Sequence, residues 1–146
     1  MTQHLKAFLE VLRLNRNASA HTVRAYESDL SQLIDHVARA QGVKRAAVDP
    51  GMLDRSAIRG FLAALHDLGQ SRATAARKLA AARTFLRHLR REGLIDSDPG
   101  ALVGTPKRDV RMPAHLSETE MAALVAAPAD EPLGRRDRAI LELFYA

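Results

Sequence analysis

Between Ser71 and Glu92 the chain carries Arg72, Arg77, Lys78, Arg83, Arg87, Arg90 and Arg91 without a single Asp or Glu among them. Guanidinium groups with no carboxylate beside them are suited to holding anions, forking two N–H groups onto a phosphate or onto a base edge. At about 100° per residue of helix, Ala75, Leu79, Ala82, Phe85, Leu86 and Leu89 fall in one sector and must face a core. The opposite sector holds Ala73, Arg77, Ala80, Ala81, Thr84, Arg87, His88 and Arg91. Small residues at its centre allow a helix backbone to approach another surface while arginines reach outward around them. A surface built only for solubility mixes Glu with Lys at four-residue spacing instead. The sector therefore reads as a nucleic-acid contact, with Arg77, Ala81, Thr84, Arg87, His88 and Arg91 as its members.

Other polar groups offer less. The outward face of the preceding amphipathic segment holds His21, Arg24, Ser28, Gln32, Asp35 and Arg39, a mixture of signs from which Arg24 and Ser28 are companions to the basic sector. Lys107 and Arg108 add two cations in a stretch bounded by Pro106 and Pro113. Tyr26 and Tyr145 lie on apolar faces, which favours packing over nucleophilic chemistry. The six histidines are scattered with no His-xxx-His spacing, and the chain has no cysteine, which argues against zinc and excludes disulfides. No glycine-rich phosphate loop is present, and no cofactor is expected. No apolar run is long enough for a bilayer, and the composition fits a reducing cytoplasm.

The net charge of +5 is unevenly spread. Residues 71–111 hold ten Lys/Arg against four Asp/Glu, a net of +6, whereas residues 112–146 hold three against six, a net of −3. Such a patch suits a polyanion. Charge alone fits a solvated basic helix equally well, and two functional alternatives stand beside nucleic-acid binding: a helical protein-interaction module with an acidic partner, and a non-enzymatic helix-turn-helix DNA-binding regulator.

The elements that must position these residues are helical throughout, giving an all-α fold. A first helix over about residues 2–14 turns Leu5, Phe8, Leu9 and Leu12 inward, and 15–17 break it. Ser19 caps a second helix with Val23, Tyr26, Leu30, Leu33, Ile34 and Val37 on its apolar side, ending at Gly42. After Asp49-Pro50-Gly51 a third helix buries Ile58, Phe61, Leu62 and Leu65 and stops near Gly69. Ser71 caps the long basic helix, which Gly93 closes. Asp98-Pro99 starts a short turn through Val103. Residues 104–114, with two prolines and no periodicity, read as a linker between a domain at 1–103 and a second unit at 115–146. Ser117-Glu118-Thr119-Glu120 has the Ser-x-x-Glu form of a capping box. A last amphipathic segment begins near Arg135 and carries Ile140, Leu141, Leu143, Phe144 and Tyr145. It has no terminating signal, so residues 115–146 are expected to be the beginning of a longer domain, with these side chains short of partners.

The order of these segments resembles the tyrosine recombinase/integrase family, most closely its bacterial Xer type. Thr22-Val23-Arg24-Ala25-Tyr26-Glu27-Ser28-Asp29-Leu30 is similar to the family's T-x-x-x-Y-x-x-D-L second helix. Ala76-Arg77-Lys78-Leu79-Ala80-Ala81-Ala82-Arg83-Thr84-Phe85-Leu86 is similar to its RKLAALRxFY fourth helix, with Leu86 where an aromatic is common. Asp98-Pro99-Gly100-Ala101 resembles its NPA turn with Asp for Asn, and Met112-Pro113, Leu116-Ser117 and Glu120 resemble the entry to its catalytic domain. The run from Arg136 to Ala146 is similar to the helix before its TGLR motif. The resemblance implies a four-helix, SAM-like core-binding bundle that clamps double-stranded DNA through its second and fourth helices. It implies a complete protein that cuts and rejoins DNA through a 3′-phosphotyrosyl intermediate, without metal or nucleotide, among recombinase protomers in a synaptic tetramer. The family's arginines, histidine, lysine and tyrosine nucleophile are expected beyond Ala146, leaving no catalytic residue on this chain.

Overall fold

The computed structural model describes residues 1–14, 18–106 and 115–145. The chain divides into two compact units, Met1–Asp109 and Val110–Ala146. Helices α1 (Thr2–Leu14), α2 (Ala20–Ala40), α3 (Arg55–Asp67) and α4 (Arg72–Arg91) build the first, and α5 (Glu118–Ala126) and α6 (Pro132–Tyr145) the second. Single 3-10 turns at Arg45–Ala47, Pro50–Met52 and Pro99–Leu102 complete the described secondary structure, which contains no strand. The all-α expectation holds. Among the described residues no helix is long and apolar enough to cross a membrane.

Local chemistry explains where the helices begin. The hydroxyls of Ser19 and Ser71 accept from the amides of Thr22 and Thr74, and the Asp54 carboxylate accepts from Ala57 N–H. Each satisfies an amide that the first helical turn leaves bare, worth about 1 kcal/mol. Helices α2, α3 and α4 stop where Gly42, Gly69 and Gly93 enter the left-handed region, at φ of 64°, 69° and 70°.

The apolar faces meet in one core. Phe8 of α1, Leu30, Leu33, Ile34 and Val37 of α2, Ile58 of α3, and Leu79, Phe85, Leu86 and Leu89 of α4 are almost wholly buried. Val48 and Leu53, from the segment between α2 and α3, are buried with them, and Val103 closes the cluster after α4. The Phe8 ring lies 5.3 Å from Phe85 and 5.9 Å from Tyr26, edge to face with the latter. Tyr26 thus packs as expected. Helix α4 touches α1, α2 and α3 alike, so it is the element around which the unit is built.

In the second unit, α5 opens on the capping box read from the sequence. Ser117 Oγ accepts from Glu120 N–H at 3.3 Å, and the Glu120 carboxylate accepts from Ser117 N–H at 2.8 Å. Those bonds hold the Glu120 carboxyl below its ordinary pKa. Helix α6 starts at Pro132, three residues before the Arg135 expected, because proline fits the first helical turn, where no amide partner is needed. Ile140, Leu143, Phe144 and Tyr145 are exposed and Leu141 half-buried. Tyr145 is therefore not the packed side chain that its apolar position suggested.

Candidate nucleic-acid interface

Helix α4 separates its two surfaces differently from the wheel. Ala73, Arg77, Ala80, Arg87, Arg90 and Arg91 are exposed, and Thr84 is half-buried. Ala81 and His88, placed on the outer sector by sequence, are each only 5% exposed and lie inside. The His88 ring lies 5.3 Å from that of Phe8, tilted by 45°, so α1 covers that flank of α4. A two-sided wheel presumes one packing neighbour; with three, the buried arc widens to about half the circumference and takes in positions at its edge. Ala73 and Ala80 are the small residues that remain outside.

The exposed arc is strongly basic. Thr84, Arg87, Arg90 and Arg91 line an open cavity of about 410 Å³. The Thr84 hydroxyl donates to Ala80 O at 2.9 Å and accepts from Arg87 Nη2 at 3.3 Å, which holds that guanidinium against the helix. Among the described residues none of Arg87, Arg90 and Arg91 has a carboxylate within ion-pair distance. Three cations around a hydroxyl in an open hollow have the makings of a phosphate site.

On α2, Arg24 and Ser28 are exposed. Arg24 Nη2 is 3.2 Å from His21 Nδ1. Asp35, the carboxylate that mixed the signs of this face, is 3.3 Å from Arg45 and so already countered. Lys107 and Arg108 lie outside the described residues.

The seam between α2 and α4 carries a charge cluster that the sequence did not disclose. Asp29, 4% exposed, takes Lys78 Nζ at 2.9 Å on one oxygen and Arg77 Nη1 on the other. Lys78 Nζ also donates to Gln32 Oε1 at 2.9 Å, and Gln32 Nε2 to Ser28 Oγ at 3.3 Å. The polar chain therefore runs from buried Lys78 to exposed Ser28 and ties the two helices in register. Two cations share one carboxylate, so the seam keeps positive charge, and the Arg77 side chain remains 52% exposed. Arg77 is thus both a structural partner of Asp29 and a member of the basic face. Asp29, Arg77 and Lys78 stood in the family-like segments, but 48 and 49 residues separate the paired positions, and no local pattern announces the pairing.

The first unit is thus a helical bundle whose second and fourth helices are tied together beneath a basic face, and comparison with known proteins gives the class of protein to which it belongs. Residues 5–93 match the family model described as phage integrase, N-terminal SAM-like domain, and the chain belongs to that family. Over its full length it is similar to Xer-type tyrosine recombinases. It is 43% identical over 147 residues to the tyrosine recombinase XerC of Pelotomaculum thermopropionicum, covering 100% of this chain and 48% of that protein. Identity is 40% to the tyrosine recombinase XerC of Pelobacter propionicus, covering 100% and 47%, and 40% to that of Xanthomonas campestris pv. campestris, covering 97% and 42%. The chain spans about half the length of the curated relatives it matches.

Proposed function

We propose that this chain is the DNA-gripping N-terminal part of a cytoplasmic tyrosine-type site-specific recombinase. Residues 1–103 serve as the core-binding domain, 104–114 as the linker, and 115–146 as the beginning of the catalytic domain. Double-stranded DNA is held by the outer face of α4, through Arg87, Arg90, Arg91 and Thr84 with Arg77 at its edge. Arg24 and Ser28 of α2 extend that surface, and Lys107 and Arg108 add phosphate contacts from the linker. Ala81 and His88 support the face from within and touch no DNA. The complete protein cuts and rejoins DNA through a phosphotyrosyl bond, working with further protomers in a synaptic tetramer, and needs no cofactor. The chain alone performs no cleavage.

The observation that carries the reading is the carboxylate-free exposed arc of α4. Small residues at Ala73 and Ala80 let the helix approach a groove, and arginines flank them. A duplex titration at two salt concentrations tests it, since phosphate contacts give a steep salt slope. Ala80→Glu adds bulk and a negative charge on the exposed side and leaves the core untouched. It should keep the parent's thermal melt and weaken duplex binding at least as much as Arg87→Ala does. Parent-like binding by Ala80→Glu at moderate salt would move the reading surface elsewhere and bring forward the protein-interaction alternative.

A further inference from the structure

Arg83 turns its guanidinium away from the basic face. Nε donates to Gly100 O at 2.9 Å, Nη1 to Thr105 Oγ1 at 2.8 Å, and Nη2 to the Val103 carbonyl. Gly100 is buried so closely that a Cβ there would stand 2.9 Å from Arg83 Cγ and 3.1 Å from Leu86 Cδ1. Further along, Pro106 shares a cavity of about 380 Å³ with Leu62, His66, Gln70, Arg72 and Ala75. The chain is therefore level with Leu86 at Gly100 and level with Ala75 at Pro106. Those α4 positions are eleven residues apart, about 16 Å along a helix axis. Having passed the end of α4, the chain doubles back along the helix flank. Buried Val103 pins its middle into the core. Val103 O follows the 3-10 turn, and Arg83 donates both to it and to Gly100 O, which also accepts Val103 N–H at 3.5 Å.

We propose that Arg83 is a positioning residue that holds residues 100–105 as a strap along α4 and so fixes where the chain stands at Pro106. The proposal rests on the reading of residues 104–114 as a linker. The planar fork of arginine is what the strap requires, because its acceptors are reached by three different nitrogens. An ammonium cannot span them.

The absence of cysteine makes the test direct. Ala73 and Gly104 are exposed, so Ala73→Cys with Gly104→Cys can carry a pair of spin labels. The label distance distribution is measured in the parent, Arg83→Ala and Arg83→Lys. Alongside it, hydrogen exchange is followed at Ala101 N–H, which donates to Asp98 O, and Val103 N–H, which donates to Gly100 O. Both Arg83 variants should exchange these amides at least tenfold faster and broaden the distribution, with the salt slope of duplex binding unchanged. Unaltered exchange and distances overturn the proposal. Full rescue by Arg83→Lys also overturns it, since charge alone would then suffice. A fall of about one unit in the salt slope would instead make Arg83 a phosphate contact. Should Arg83→Ala not fold, Thr105→Val must broaden the distribution without moving the melt, and failure to do so overturns the strap. Exchange and label distances are recorded without DNA, so a parent that binds no duplex defeats the DNA reading and leaves the test of the strap intact.

Discussion

Removing Asp29 should cost this fold more than removing either of its cations. Asp29 and Lys78 are 4% and 5% exposed, so each has left water for the other. Breaking a buried pair by deleting one member strands the other charge, typically at about 3–5 kcal/mol. The three deletions strand different things. Asp29→Ala leaves buried Lys78 with Gln32 Oε1 as its remaining acceptor and leaves Arg77 without its anion. Lys78→Ala leaves Asp29 still bound to Arg77. Arg77→Ala leaves the buried Asp29–Lys78 pair whole and removes a half-exposed group, for which solvent screening reduces the loss to roughly 1 kcal/mol or less. The expected order is therefore Asp29→Ala, then Lys78→Ala, then Arg77→Ala. For a domain whose total stability is about 5–15 kcal/mol, the first removes a large share of it and should lower the urea midpoint markedly. The Asp29→Leu/Lys78→Met double variant should recover most of it, because an apolar pair of similar volume strands no charge. Urea unfolding followed by circular dichroism measures all of them. If Lys78→Ala unfolds more readily than Asp29→Ala, or Arg77→Ala equals either, the cluster is not organised around Asp29.

Two further outcomes follow from α4 and its neighbours. Burial holds His88 below the ordinary histidine pKa; Glu92 opposes this, and Arg91 and His4 add to it. His36 is lowered by burial and by Arg39. The unfolded chain thus binds more protons than the fold below about pH 6.5, so this stability is complete above that pH and lost as the pH falls towards the folded pKa values. The urea midpoint should be flat above pH 7 and decline towards pH 5, less steeply in His88→Gln; a midpoint that rises on acidification contradicts the assignment. At the start of α4, Ser71→Ala should cost about 1 kcal/mol, roughly 4–8 °C in the melt. Ser71→Asp should melt no lower than the parent, since the first turn of α4 holds no acid to complement the helix dipole.

Local signals were legible and distant ones were not. Caps at Ser19 and Ser71, the Ser117–Glu120 box and the glycine stops each act over at most six residues, so the sequence displays cause and effect side by side. Apolar periodicity likewise located Phe8, Ile34, Ile58 and Phe85 in the core. Ala81 and His88 defeated the wheel because burial at the edge of an arc depends on where neighbouring helices lie, α1 in the case of His88, a tertiary fact with no mark on α4 itself. The same holds for Arg83, whose type promised a surface cation and whose partners arrive 17 to 22 residues later as carbonyls and a hydroxyl that any sequence could offer.

These pairings change what the basic helix can do. Seven Lys/Arg lie on α4, and if all met phosphate they would give a salt slope of about −6, at roughly −0.9 per contact. Lys78 is buried on Asp29, Arg77 shares that carboxylate, Arg83 is turned into the strap, and Arg72 is engaged within the protein. Arg87, Arg90 and Arg91 remain, which limits α4 to about three full contacts and a slope contribution near −2.7. Charge count and contact count thus part company, and variants can separate them. Arg87→Ala, Arg90→Ala and Arg91→Ala should each lower the slope of duplex binding by about one unit. Lys78→Met, with the same loss of formal charge, should leave it unchanged. Equal losses from Lys78→Met and Arg87→Ala would mean that DNA responds to the net charge of the bundle rather than to a face of α4, and the proposed interface would have no boundary.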